Sequence, residues 1–301
     1  MALAMRERDS FPSKPSDSNN AAQCPCIVAD VRLDYRSDLF LRLGVAPTRR
    51  ASWSDLQLLQ AAYLRWGETC VKYLEGDYAF VVWDQQRQWL FGARSAVGLR
   101  PFVYHVSPHR FLCASEPAQL LEDPAVSREL DPVWISFWLV RGRGHWEGSP
   151  YRDIQTLPPG HLLTVDAQGA VIRPFSYLAE SMSPRPRAIR QEEYTEQFRA
   201  LLTDAVRERL HDQGQHLPLF DLSGGLDSSS LVSLAASLGT YEQRQDPLEC
   251  FHAVSDGSLL YVEAVTQKYP CIRLHTFPFE NHMHFDGAFD PAPSLALPCR
   301  P

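Results

Sequence analysis

Between Pro218 and Val232 the chain reads Pro-Leu-Phe-Asp-Leu-Ser-Gly-Gly-Leu-Asp-Ser-Ser-Ser-Leu-Val. Residue types and spacing in this stretch offer one chemistry, the holding of an anion. The apolar run Leu217 to Leu222 reads as a short buried strand. Ser223-Gly224-Gly225 can then turn tightly, because glycine tolerates positive φ and lets a ligand approach the backbone. Leu226 to Leu238 reads as a helix, with Leu226, Leu231, Leu234 and Leu238 at helical spacing. The first amides of a helix have no intrahelical acceptor, and the helix dipole adds positive potential there. Hydroxyls at Ser223, Ser228, Ser229 and Ser230 add donors, and Asp227 could carry a metal ion. No lysine stands in the loop, so it is not the Gly-x-x-x-x-Gly-Lys nucleotide loop. The plainer alternative is a serine–glycine turn that caps a helix and binds nothing.

The elements around the loop suggest two domains, as 301 residues would. Hydrophobic content of 45% and charged content of 22% are those of a globular protein. A net charge of −7 gives no electrostatic footprint for nucleic acid or an anionic membrane. No apolar run approaches the ~20 residues that span a bilayer, and the N-terminus lacks an apolar signal core. The seven cysteines are scattered, and Cys24-Pro-Cys26 has no second pair at zinc spacing. Reduced thiols in the cytoplasm fit this usage. His282-Met-His284 lies in a polar tail and reads as solvated rather than metal-binding.

Residues 1–23 are polar, with Pro12, Pro15, Asn19 and Asn20, and are expected to be irregular. A first unit is expected over residues 24–180. It opens with a strand at Cys26 to Leu33 and a helical turn at Ser37 to Leu43, ended by Gly44. Ser52 and Ser54 offer N-caps for a helix whose Leu56, Leu59, Tyr63 and Trp66 share a face. The period then changes. Tyr78–Trp83, Trp89–Ala93, Phe102–His105 and Arg110–Ala114 read as four strands at hairpin spacing, hence an antiparallel sheet. Helix returns near Pro117–Leu121 and Pro132–Leu139, and Leu162–Val165 reads as a further strand.

The proline-rich basic stretch 181–191 reads as a linker. A second unit is expected over 192–301. It begins with an amphipathic helix, Glu192 to Leu210, whose Tyr194, Phe198, Leu201, Leu202, Ala205 and Leu210 share a broad face. The opening strand, loop and helix follow, then a strand at Leu248–Val254, a helix at Tyr261–Lys268 and a strand at Ile272–Phe277. This β-α-β-α-β order implies a parallel sheet, and ligands of such sheets bind beyond the carboxyl ends of the strands.

The string Leu222-Ser223-Gly224-Gly225-Leu226-Asp227-Ser228-Ser229 resembles the pyrophosphate loop of the ATP pyrophosphatase superfamily, and most of all that of the asparagine synthetase family. Stretches of the first unit resemble that family's glutaminase sandwich in the same order: Gly76 to Asp84, Ala93 to Pro101, Ala114-Ser115-Glu116, and Leu157-Pro158-Pro159-Gly160-His161. Ser95 stands where the family's Arg-Asp-x-x-Gly-x-Arg-Pro turn has aspartate. The resemblance implies an α+β N-terminal glutaminase-like (Ntn-type) sandwich followed by an α/β parallel-sheet ATP pyrophosphatase (PP-loop) domain. It implies ATP and Mg²⁺ as cofactors. Ser223, Gly224, Gly225, Ser228 and Ser229 would cradle pyrophosphate, Leu226 would be a further cofactor-binding residue, Asp227 would hold the metal, and Leu222 and Val254 would contact adenosine. Ser223 and Asp227 carry the catalytic assignment. The reaction implied is adenylation of a carboxylate, release of pyrophosphate and attack by an amine.

Two departures bear on that implication. The family's glutaminase uses an N-terminal cysteine, whereas Met1 here is followed by Ala2 and the nearest cysteine is Cys24. Asp30-Val31-Arg32 aligns with the family's glutamine-holding Asn-Gly-Glu, and an aspartate cannot reproduce an amide's hydrogen bonds. Glutaminase activity is therefore not expected. Asp30 to Asp34 is more similar to the cysteine-free branches, the β-lactam synthetases and lasso-peptide cyclases. No second Ser-Gly-x-x-x-Asp-Glu segment stands before Pro301, and the chain reads as truncated at both ends. The expected function is an asparagine synthase-like, amide-forming ligase of the cytoplasm. It would act on a small-molecule or peptide carboxylate and an amine donor, without nucleic acid or membrane partners, and a homo-oligomer is compatible with it. The competing expectations are a nucleotide-binding but catalytically incomplete fragment and a non-enzymatic scaffold.

Overall fold

The computed structural model describes residues 25–141, 148–175, 190–211, 218–238, 247–254 and 259–278. The expected irregular N-terminus, most of the linker and the His282–His284 tail lie outside them. The chain divides into two compact units, with the break between Pro184 and Arg185.

The first unit is built on an antiparallel sheet of five strands. Strand β1 (Cys26–Leu33) pairs with β2 (Gly76–Asp84), β2 with β3 (Trp89–Arg94), β3 with β7 (His161–Asp166), and β7 with β8 (Gly169–Pro174). A smaller sheet has the order β5 (Arg110–Ala114), β4 (Val103–Ser107), β6 (Gln155–Thr156). Strand β2 is buried continuously from Asp77 to Val82, so both of its faces are covered. On one face Tyr78, Phe80, Val82 and Phe91 pack against helices α1 (Arg36–Leu43) and α3 (Asp55–Trp66). On the other, Ala79, Val81 and Leu90 pack against Phe102, Tyr104, Leu157 and Leu163. A short helix α2 (Pro47–Arg50) precedes α3, and α4 (Pro117–Leu120) and α5 (Pro132–Arg141) follow the small sheet.

Three sequence expectations change here. The four strands read as one antiparallel sheet are shared between two sheets, because the Gly98–Pro101 turn carries the chain from β3 across to β4. In α3 Ser54, one of the two N-caps the sequence offered, is the cap and forms a capping box, its hydroxyl accepting from the Gln57 amide while the Gln57 side chain accepts from the Ser54 amide at 2.8 Å. The buried face of α3 is however Leu58, Leu59, Ala62 and Tyr63, and Leu56 is exposed. Strand β8 was not anticipated, since all six of its residues are exposed and its sequence has no alternation for a pattern to detect.

Gly76 fixes the β1–β2 register. It pairs with Leu33 at φ +129°, and a Cβ there would lie 2.2 Å from the Arg32 carbonyl oxygen. Gly76→Ala is therefore expected to cost more than about 2 kcal/mol, combining a disallowed backbone with a clash against the facing strand. A melting temperature within a degree of wild type would contradict this.

Next to it, Glu75 accepts the Asp34 amide on its main-chain oxygen at 2.9 Å. Burial, and then the Asp38 and Asp34 carboxylates, push the Glu75 carboxyl above its ordinary value of 4.5, while Arg42 opposes them. A raised carboxyl holds its proton more tightly in the folded state. Its contribution is complete below pH 4.5 and is lost as pH rises through the raised value. Glu75→Gln is expected to flatten the fall of melting temperature with pH over that interval, as followed by thermal denaturation. An unchanged slope would reject the assignment.

The second unit is a three-stranded parallel sheet, in the order β11 (Ile272–Pro278), β10 (Leu248–Val254), β9 (Leu219–Asp221). Its core joins Phe220, Leu222, Leu248, Cys250 and Leu274 to helices α6 (Gln191–His211), α7 (Leu226–Ser237) and α8 (Leu259–Lys268), through Val206, Leu210, Val232, Ala235 and Val262. The parallel β-α-β-α-β order is as expected. The broad apolar face read on α6 is not buried as a whole. Val206 and Leu210 enter the core, but Tyr194, Phe198 and Leu201 are exposed, the last at 72%. A core on three short strands reaches only the last turns of this 21-residue helix. In α7 the buried positions are Val232, Ala235 and Ala236, whereas Leu226 and Leu231 face outward.

Candidate functional site

The loop between β9 and α7 lies at the carboxyl end of the parallel sheet. The Leu222 amide donates to the Phe251 carbonyl at 2.8 Å, which extends the β9–β10 pairing by one residue and fixes where the loop departs. The Leu222 side chain is fully buried in the core, so only its main chain is presented to the site. Gly224 then takes φ +82°, a left-handed turn residue as the sequence required. Gly225 is the N-cap of α7 at φ −73°, and the first helical bond runs from the Ser229 amide to the Gly225 carbonyl at 3.1 Å. The amides of Leu226, Asp227 and Ser228 therefore precede the helical ladder, with the positive end of the helix behind them.

The serines turn inward on one another. The Ser223 amide donates to Ser228 Oγ at 3.2 Å, the two hydroxyls share a hydrogen bond of 3.0 Å, and the Gly225 amide reaches Ser223 Oγ at 3.4 Å. Ser228 Oγ also donates to the Gly225 carbonyl at 3.3 Å. Ser229 Oγ is buried and has no hydrogen-bond partner among the described residues. Asp227 is exposed in the first turn of α7, and Leu226 is 83% exposed beside it. Val254 ends β10, three positions beyond the Phe251 that anchors the loop, at the same edge of the sheet. The structure thus brings Leu222 to Ser229 together at one strand end. Among the described residues no group of three histidine, cysteine, aspartate or glutamate side chains could hold a metal ion.

In the first unit, the turn after β3 is organised by Arg94, whose importance the motif suggested less than its neighbour Ser95 did. Its guanidinium donates to the carbonyls of Gly98, Leu157 and Arg100 at 2.6, 2.7 and 2.8 Å. Gly98 sits at φ +70°, where a Cβ would lie 2.6 Å from Pro159 Cγ. Ser95 is 2% exposed, donates its amide to the Tyr78 carbonyl at 2.8 Å and accepts the Gly160 amide at 3.0 Å. The segments quoted from the sequence as Ala93–Pro101 and Leu157–His161 are therefore one locked substructure. On β1, Asp30 lies 3.4 Å from Arg100, and Arg32 donates to Asp34 at 2.7 Å.

Comparison with known proteins assigns both units. Residues 39–176 match the glutamine amidotransferase domain family, and residues 197–295 match the asparagine synthase family. The two matches stand in the order of the asparagine synthetase family, which the chain resembles in both units. An asparagine synthetase (glutamine-hydrolyzing) 3 of Bacillus subtilis is 32% identical over 70% of this chain and 33% of its own length. The amidase chry2 of Gibberella zeae is 30% identical over 62% of this chain and 27% of its own, and the B. subtilis asparagine synthetase (glutamine-hydrolyzing) 1 is 25% identical over 60% and 28%. The chain spans about a third or less of the length of these curated relatives. The asparagine synthetase family order, an amidotransferase domain followed by an asparagine synthase domain, is thus present, and the loop described above falls inside the second match.

Proposed function

We propose that the asparagine synthase unit binds Mg-ATP at the Ser223–Ser229 loop and serves an ATP-dependent, amide-forming ligase. One observation carries this reading: a glycine turn with serine hydroxyls opens a helix at the carboxyl end of a parallel sheet, inside the asparagine synthase match. The donor set suits a phosphate group. The free amides at the start of α7 and the buried, unpartnered Ser229 hydroxyl supply neutral donors, and no lysine competes with them.

Ser223, Gly224, Gly225, Ser228 and Ser229 would hold the pyrophosphate moiety. Asp227 would take Mg²⁺, which supplies positive charge to the phosphate oxygens. The Leu222 main chain and Val254 flank the place for adenosine. In the reaction, a carboxylate of a small molecule or peptide attacks the α-phosphorus of ATP, its oxygen–phosphorus bond forms as the bond to pyrophosphate breaks, and an amine then displaces AMP from the acyl group. Amides fixed before the reaction stabilise the charge on the departing pyrophosphate without reorganising. Asparagine formation in the cytoplasm is the setting this reading assigns.

A second reading concerns the nitrogen source. Asp30 is turned to Arg100 and Arg32 to Asp34, so two of the three positions aligned with the family's glutamine-holding residues are occupied by ion pairs. This favours the cysteine-free branches that make other amide bonds, such as β-lactam synthetases and lasso-peptide cyclases, over glutamine hydrolysis by this strand.

The test is product identity. The chain incubated with Mg-ATP, aspartate and ammonia is expected to yield pyrophosphate and AMP, and ADP with phosphate would overturn the adenylation reading. Calorimetric titration with Mg-ATP separates binding from turnover. Asp227→Asn is expected to weaken binding by roughly tenfold and to remove its dependence on magnesium, consistent with about 1.4 kcal/mol for one charge-assisted contact. Equal affinities in the two proteins would reject the metal role.

A further inference from the structure

We infer that Ser223 and Ser228 are built-in stand-ins for the anion, occupying the loop's amide donors until a phosphate ligand displaces them. The inference rests on the pyrophosphate-loop reading above. Two amides that face the loop interior, those of Ser223 and Gly225, end on the hydroxyls of Ser228 and Ser223 respectively. The two hydroxyls are joined to each other, and that of Ser228 also reaches back to the Gly225 carbonyl. The loop thus satisfies itself with neutral hydroxyl acceptors in the place where a polyanion would accept.

Exchange of one arrangement for the other conserves donors. In the free loop both amides donate to serine oxygens, and both hydroxyls are engaged within the loop. In the liganded loop the same two amides and the same two hydroxyls donate to phosphate oxygens. Only the acceptor changes, from a neutral hydroxyl or carbonyl oxygen to an anion, and charge-assisted bonds are roughly twice as strong as neutral ones. A weak or singly charged acceptor gains little over the serines, whereas pyrophosphate gains at several contacts together. The device therefore favours polyphosphate over simpler anions and keeps the glycine turn in its binding shape when empty. The Ser229 hydroxyl is buried and has no hydrogen-bond partner among the described residues, so the serine pair does not satisfy it.

The two bonds are separable by substitution. Ser228→Ala removes the acceptor of the Ser223 amide, and Ser223→Ala removes the acceptor of the Gly225 amide. Amide hydrogen exchange and 15N shifts of the full chain, free and saturated with inorganic pyrophosphate and Mg²⁺, read both. In the free protein Ser228→Ala should speed exchange at Ser223, and Ser223→Ala should speed it at Gly225, each by roughly fivefold for the loss of one ordinary hydrogen bond. Pyrophosphate should shift both amides in the wild type and bring each variant's freed amide back to wild-type protection. Exchange in the free variants equal to wild type would overturn the inference. So would pyrophosphate that binds without shifting either amide, and that outcome would leave the loop's assignment standing. Failure of pyrophosphate to bind the wild type at all would reject both together.

Discussion

Gly224→Val is expected to remove measurable Mg-ATP binding while leaving the protein folded. Gly224 holds φ +82°, and a β-branched residue is a severe outlier there. The strain, of roughly 1–2 kcal/mol or more, is relieved by flipping the peptide, because the loop around it is exposed. Flipping the Ser223–Gly224 peptide inverts the Gly224 amide and displaces the residue after it, so the Gly225 amide leaves its 3.4 Å contact with Ser223 Oγ. Loss of one preorganised donor to an oxyanion costs on the order of a hundredfold. The core of the second unit, centred on Leu222, Val232, Leu248 and Cys250, is untouched, so thermal unfolding should move little. Gly225→Ala is the control for mere bulk. At φ −73° its backbone accepts a Cβ, whose nearest neighbour would be Ser223 Oγ at 3.4 Å. It should lose affinity to a smaller degree, through crowding alone. Calorimetric titration of the three proteins checks the ranking. A valine variant that binds as well as the alanine variant would show that the left-handed turn does not shape the site.

The loop was legible in the sequence because its chemistry and its geometry are written in the same residues. Gly224 is needed for its φ, Ser223 and Ser228 for their hydroxyls, and all stand within six positions of one another. The helix behind the loop was legible in extent, Leu226–Ser237, and only half legible in orientation. Of its four leucines, Leu234 and Leu238 pack against the core beside the buried Val232 and Ala235, whereas Leu226 and Leu231 are exposed. Helical spacing alone cannot choose between adjacent apolar faces when Leu, Val and Ala are mixed around the cylinder. Helix α6 failed differently. Its apolar face exists, but burial depends on how far the three-stranded sheet extends beneath it, which no local pattern records. The division of β2 to β5 between two sheets was hidden for a related reason. Hairpin spacing predicts which strands pair, and β2–β3 and β4–β5 do pair, but not whether successive hairpins share a sheet. That was decided at Gly98–Pro101, by a side chain reaching across 63 residues from Arg94 to the Leu157 carbonyl.

Arg94→Ala should therefore be the most damaging single substitution of a polar residue in the first unit. Three carbonyls, on Gly98, Arg100 and Leu157, accept from one part-buried guanidinium at 2.6 to 2.8 Å. Each is a charge-assisted bond, and truncation removes the donor from all three carbonyls at once. Leaving a buried acceptor unsatisfied costs about 1–3 kcal/mol, so a loss on the order of 3–5 kcal/mol follows for the set. The consequence is topological as well as energetic. Arg94 closes the turn that sends the chain to β4, and through Leu157 it ties that turn to the Pro158–Gly160 segment, whose Gly160 amide bonds back to Ser95. Loss of the tie should loosen the small sheet β5-β4-β6 against the large one before the large sheet itself unfolds. Arg94→Lys tests charge against geometry. A lysine keeps the charge but offers one nitrogen to three diverging carbonyls, and should recover less than half of the lost stability. Denaturant unfolding of the three proteins gives the energies, and amide exchange along β4 and β5 gives the order of events. Full recovery by lysine would mean that the charge, and not the planar fork, holds the turn.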